Sequence, residues 1–305
     1  MSRPTPKPAK RASQSPSKQV VSHTWLMKAI AVVVIAALIC GYLTLSLLFY
    51  QGQWQFVLHP QHKGHAPETA SIHFGPDESA IPQLTGRWIP AVPGARYANT
   101  TILFLPSGDG SLADFNSTLA RLHDLGINVF AFDYRGYGYS ADTHPNQARM
   151  TQDAESAWSY LNTSRKIPAQ QIIPYGVGVG ASLATHLAAS HTEIPALILE
   201  SPKGDLLDTV RHDPHAGLMP VRLLFHENFP LAEPLAALRT PKLLLSRGDV
   251  ATAFRSASDP KLTVEFNSSS DAEYTQALSR FLDQYIAPPL PQPLLIPAPS
   301  PTKPR

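Results

Sequence analysis

PYGVGVGASLATHLAA, residues 174–189, changes character halfway along. The apolar run Gln171–Gly176 that leads into it has strand length. Three glycines then alternate at Gly176, Gly178 and Gly180, and small apolar residues at helical spacing follow from Ala181 to Ser190. Glycine weakens both strands and helices, so three in five residues mark a sharp bend or a close backbone approach. The stretch reads as strand, tight turn, helix.

The same alternation extends in both directions. Thr101–Pro106, Ile127–Asp133, Pro195–Ser201, Pro241–Ser246 and Lys261–Phe266 are further apolar runs of strand length. Leu112, Phe115, Leu119 and Leu122 recur at helical spacing between the first two, and Gly126 is placed to stop that helix. Tyr274, Leu278, Phe281 and Tyr285 mark one face of a last helix. Continuous apolar strands separated by amphipathic helices imply an α/β fold, a mostly parallel sheet with helices on both faces. Ligands in such sheets bind outside the carboxyl ends of the strands.

Outside this body the composition changes. Residues 29–50, AIAVVVIAALICGYLTLSLLFY, carry no charge over 22 positions, enough for one helix across a hydrocarbon layer of ~30 Å. Trp25 and Lys28 precede the run, and Tyr50, Trp54 and Phe56 follow it, as at a membrane interface. No small-residue cleavage site follows it, which favours an uncleaved anchor over a signal peptide. The first 28 residues hold six of the 25 basic residues and no acidic one, so the body has 19 basic against 23 acidic. That asymmetry places the N-terminus in the cytoplasm and the body outside it, and gives no basic footprint for nucleic acid. The expected organisation is a disordered basic tail over 1–24, an anchor over 25–50, a folded domain over 51–286 and a Pro-rich tail over 287–305. The single cysteine, Cys40, excludes a disulfide scaffold and cysteine-only zinc sites.

Several strand ends together resemble the α/β-hydrolase superfamily, nearest its membrane-anchored lysophospholipase- and peptidase-like branch. The carrying segments are Phe132–Ser140 (FDYRGYGYS), Pro174–Ala189 and Ala196–Pro202 (ALILESP), with Tyr50–Pro60 and Leu84–Ala91 in support. The resemblance implies a G-x-S-x-G turn, an acid after a later strand, a histidine after the last strand and a backbone oxyanion loop. Each position departs from that pattern. Gly178 stands where the nucleophilic serine belongs. In a rival register, Gly180-Ala181-Ser182-Leu183-Ala184, Ser182 would be the nucleophile, but this pushes the turn into the helix. The acid belongs near Val250, with Asp249 one position early, and no usual connecting helix is expected between that turn and the last strand. The histidine belongs near Ser270, yet none of the twelve histidines lies beyond His226. Ser107 and Gly108 occupy the oxyanion loop, where Asp109 would set a negative charge near a developing oxyanion.

The expectation is therefore a catalytically inactive fold used for binding or scaffolding, with a lipid, peptide or protein in the cleft. The alternatives are an ester or amide hydrolase using Ser182, and nucleotide or anion binding at the Gly176–Gly180 turn. No cofactor is implied. His59, His62 and His65 recur every third residue, and His212, Asp213, His215, His226 and Glu227 fall together later. Pro60 and Gly64 break any helix that would align the first group, and neither group is read as a metal site.

Overall fold

The computed structural model describes residues 22–64, 71–76, 81–212, 220–247, 251–266 and 271–287. Contacts divide the chain into two units that meet between Leu48 and Phe49. The first consists largely of helix α1 (His23–Gly52), a 30-residue helix about 45 Å long at 1.5 Å per residue. It starts ahead of the apolar run because Thr24–Lys28 also favour helix. None of its residues is buried, and among the described residues it is the one helix long and apolar enough to cross a bilayer.

The second unit is built on an eight-stranded sheet. In chain order the strands are β1 (His59–Pro60), β2 (Ile72–Phe74), β3 (Leu84–Ile89), β4 (Thr101–Leu105), β5 (Asp109–Gly110), β6 (Asn128–Asp133), β7 (Ile172–Val177), β8 (Leu197–Glu200), β9 (Lys242–Arg247) and β10 (Lys261–Phe266). Their order in space is β2-β3-β6-β4-β7-β8-β9-β10, while β1 and β5 form a separate parallel pair. Strands β6 through β10 run parallel, and β2 and β3 add an antiparallel edge. Strands β4, β6 and β7 are buried almost throughout, so they read as unbroken apolar runs.

Helices cover both faces. They are α2 (Asn116–Asp124), α3 (Gln147–Ser159), α4 (Gly180–Ser190), α5 (Leu206–Arg211), α6 (Val221–Leu224), α7 (Ala232–Ala237), α8 (Thr252–Ser256) and α9 (Asp271–Tyr285). Each face has its own core. One gathers Leu103, Phe132, Met150, Trp158, Leu183 and Phe229; the other gathers Ile102, Phe104, Leu122, Tyr175, Leu278 and Phe281. Successive residues of β4 thus point to opposite cores, as pleating requires.

One expectation is corrected here. The link between β9 and β10 does contain a helix, α8. Its five residues are too short to give a sequence period, but Phe254 is 1% exposed and docks it into the core. Strands β2 and β3 and helix α3 are additional to the strands and helices read from the apolar runs.

Candidate functional site

The carboxyl end of β7 carries the site. The strand stops at Val177, Gly178 takes φ +57°, and α4 begins at Gly180. Backbone proximity dictates the flanking glycines. A Cβ on Gly176 would lie on the Gly180 carbonyl oxygen and 2.6 Å from the Ala181 Cα. One on Gly180 would press on the Leu105 carbonyl oxygen and lie 2.7 Å from that of Pro106. Helix α4 therefore sits directly on β7 and the end of β4, a strand-to-helix turn of the kind that displays a nucleophile.

Gly178 is the apex of that turn. Its N–H donates to the Glu200 carbonyl (3.2 Å), and its own carbonyl accepts from the Lys203 N–H (2.9 Å), so the end of β8 grips it on both sides. A Cβ at Gly178 would come 2.8 Å from the Ser107 Cβ. The loop after β4 therefore occupies the space into which an attacking side chain would project. Ser107 turns its hydroxyl back on its own loop, donating to the Asp109 carbonyl (3.2 Å) and accepting from the Asp109 N–H (3.3 Å). Gly108 is equally enclosed. A Cβ there would meet Leu58 Cδ2 at 2.6 Å and Val179 Cγ2 at 3.0 Å, and the Gly108 carbonyl accepts from the buried Tyr137 hydroxyl (3.0 Å). Burial pushes the Tyr137 hydroxyl far above its ordinary range, which keeps it protonated and donating.

Asp109 has two side-chain partners. Its carboxylate accepts from Lys203 Nζ (2.5 Å) and pairs with His59 Nδ1 (2.7 Å). Burial raises its pKa, but the hydrogen bonds from Lys203 and His59 outweigh this and hold it below the ordinary carboxylate range. The pairing of β1 with β5 sets His59 opposite Asp109. Residues separated by 50 and 94 positions are thus joined over the turn, and no linear spacing signals that.

The DYRGYG segment supports this edge. The Asp133 carboxylate, 5% exposed, accepts from the Leu112 N–H (2.8 Å) and the Tyr139 N–H (3.4 Å), while burial raises its pKa. Arg135 donates to the fully buried Asp153 (2.6 Å), tying the segment to α3. On the other side of the turn, Ser201 adopts φ +42°, and its buried hydroxyl has no partner among the described residues. Backbone strain therefore sits just past the end of β8, the strand next to β7.

The remaining candidates are dispersed. Ser182 lies in the first turn of α4, 5% exposed, and its hydroxyl donates to the Pro230 carbonyl (2.7 Å). Asp249, Val250 and Ser270 lie outside the described residues, as do His65, Asp213 and His215. His59 and His62 take different partners, Asp109 and the Ser140 carbonyl. His212 bonds the Asp208 carbonyl, and His226 stands edge-on to Tyr50. Among the described residues no group of three or more His, Cys, Asp or Glu is arranged to hold a metal ion.

Strand order, the antiparallel edge and the turn at Gly178 together define an α/β-hydrolase fold. The family model described as serine aminopeptidase, S33, matches residues 99–284, more than half of the chain, and the chain belongs to that family. Rv2307c of Mycobacterium tuberculosis is 28% identical over 227 residues, covering 72% of this chain and 77% of that protein. Alpha/beta hydrolase domain-containing protein 17B of Homo sapiens is 34% identical over 111 residues, 36% of this chain and 37% of that protein. Among solved structures, the Pyrococcus furiosus esterase Pf2001 superposes with a TM-score of 0.58 at 16% identity, over 76% of this chain and 98% of that one. At that identity the likeness speaks for the fold.

Proposed function

We propose that the chain is a membrane-anchored member of its family that has given up serine-hydrolase chemistry and uses the fold to bind a lipid, peptide or protein at the carboxyl edge of the sheet. The observation that carries this reading is Gly178. The apex of the turn bears no hydroxyl, thiol or carboxylate, and Ser107 closes the space beside it. Against a displaced nucleophile, Ser182 sits inside α4 and its hydroxyl is committed to the carbonyl of Pro230, just ahead of α7. The sequence beyond His226 supplies no imidazole to act as base, and removing single triad members already costs orders of magnitude in rate. His59 with Asp109 is half of an acid–base arrangement, but the adjoining hydroxyl, Ser107, is turned into its own loop.

The aminopeptidase description belongs to the family, and esterase activity to the Pyrococcus protein. In this reading the chain keeps their scaffold without their reaction. Residues 29–50 span the bilayer, the basic tail stays in the cytoplasm and the folded domain lies on the far side. The experiment is fluorophosphonate labelling of the full-length protein in detergent. The expected result is no covalent adduct; an adduct lost on Ser182→Ala would establish the hydrolase reading instead.

A further inference from the structure

We propose that the domain also lies down on the bilayer through an apolar patch made of Phe56 and Leu223, with Arg222 facing the lipid headgroups. This rests on the membrane-anchored reading above and adds a second contact to it. Two segments far apart in sequence build the patch. The turn Gln53–Phe56 follows directly from α1, and α6 belongs to the stretch between β8 and α7. Gln53, 4% exposed, joins them. Its Nε2 donates to the Leu224 carbonyl (3.1 Å), and its Oε1 accepts from the His226 N–H (2.6 Å). Tyr50 adds an edge contact to His226 at 4.9 Å between ring centroids.

This lock leaves large apolar side chains in solvent. Leu223 is 77% exposed and Phe56 66%, although their neighbours Val221, Phe225, Val57 and Leu58 are buried. A one-turn helix that buries Val221 and displays a leucine and an arginine side by side suits the boundary between headgroups and acyl chains. The covalent tether selects the bilayer as occupant. Phe56 is six residues past Tyr50, the last residue of the apolar run, and those residues are helical to Gly52 and form a 3-10 turn to Phe56, so Phe56 lies no more than about 11 Å beyond the end of the span, a few ångströms past a headgroup layer of about 5–8 Å. Gln53 holds α6 to that same short tether.

The contact bears on the site. Two residues beyond Phe56, Leu58 packs where a side chain on Gly108 would be, and His59 pairs with Asp109. The segment that follows the span thus ends on the loop that closes the space beside Gly178.

The test uses the full chain in vesicles of phosphatidylcholine with a minority of phosphatidylglycerol. A nitrobenzoxadiazole fluorophore is placed at Leu223→Cys in a Cys40→Ser background, with Val92→Cys, an exposed residue of the β3–β4 loop, as control. The expected result is a blue-shifted fluorophore at 223 that loses most of its emission to a headgroup-proximal spin-labelled lipid and little to aqueous iodide. The control should show the opposite. A chain that floats with the vesicles while position 223 behaves like position 92 overturns the patch and leaves the anchor standing. Shielding at 223 from both quenchers means a protein contact and also overturns it. A chain that does not float removes the anchor and the patch together. Phe56→Glu combined with the label at 223 should restore iodide access without loss of flotation.

Discussion

At the scale of single residues, the turn between β7 and α4 separates what the scaffold demands from what chemistry demands. Gly178 needs its left-handed φ of +57°, and Ser107 stands 2.8 Å from any Cβ placed there. Gly178→Ser should therefore fail to restore hydrolysis and should lose about 1–3 kcal/mol of stability, from an overpacked side chain in a left-handed conformation. Adding Ser107→Gly should recover much of that loss, read as urea midpoints in a double-mutant cycle. Ser201 offers the opposite case. Replacing it by glycine removes both the strained φ of +42° and the unpartnered buried hydroxyl, so Ser201→Gly should raise stability by about 1 kcal/mol. A drop would mean that the hydroxyl has a partner in solution. The glycine at the apex was legible in the sequence, because three alternating glycines after an apolar run have few other uses. The Lys203–Asp109–His59 cluster was not, because its members meet only through the β1–β5 pairing, and two-residue strands leave no periodic trace.

At the scale of elements, the packing of α4 on β7 is set by backbone contact, not by side chains. Gly176→Ala or Gly180→Ala should each cost about 3 kcal/mol or more, since the added methyl meets main-chain carbonyls that cannot rotate away. Gly52→Ala, with nothing within 4 Å, is the matched control and should leave the melting temperature unchanged or slightly higher. Strand β9 contains a second element-level device. The Lys242 side chain is buried, and its Nζ donates to the carbonyls of Leu238 (2.9 Å) and Ser258 (2.8 Å), tying β9 to the segments that follow α7 and α8. Burial lowers its pKa to about 8 from 10.5. The native chain thus gives up this proton earlier than the unfolded chain. This group's contribution is greatest above pH 10.5, and it is lost as pH falls through 8. Denaturation midpoints compared at pH 8 and pH 10 should rise for the wild type, and Lys242→Met should flatten that rise. The central strands and α9 were readable because burial on one or both faces leaves continuous or 3.6-periodic apolar residues. Helix α3 was harder to read, because its buried face mixes Met150 and Trp158 with Asp153, Ala154 and Ser156, and the carboxylate breaks the apolar stripe while pairing with Arg135.

At the scale of the whole molecule, a long apolar helix precedes a hydrolase-fold domain, and Leu58 and His59, a few residues past the helix end at Gly52, pack on the loop beside Gly178. On the anchored reading proposed above, the full-length chain should stay with membranes through alkaline carbonate extraction, and release into the supernatant would remove that reading. A turn whose apex bears no nucleophile should give no turnover. The most direct measurement is hydrolysis of a panel of nitrophenyl esters and aminoacyl nitroanilides by the purified full-length chain, compared with the same sample after heat denaturation. Native and denatured samples should give equal rates. A native rate well above that background, abolished by one substitution at a hydroxyl of the chain, would contradict it.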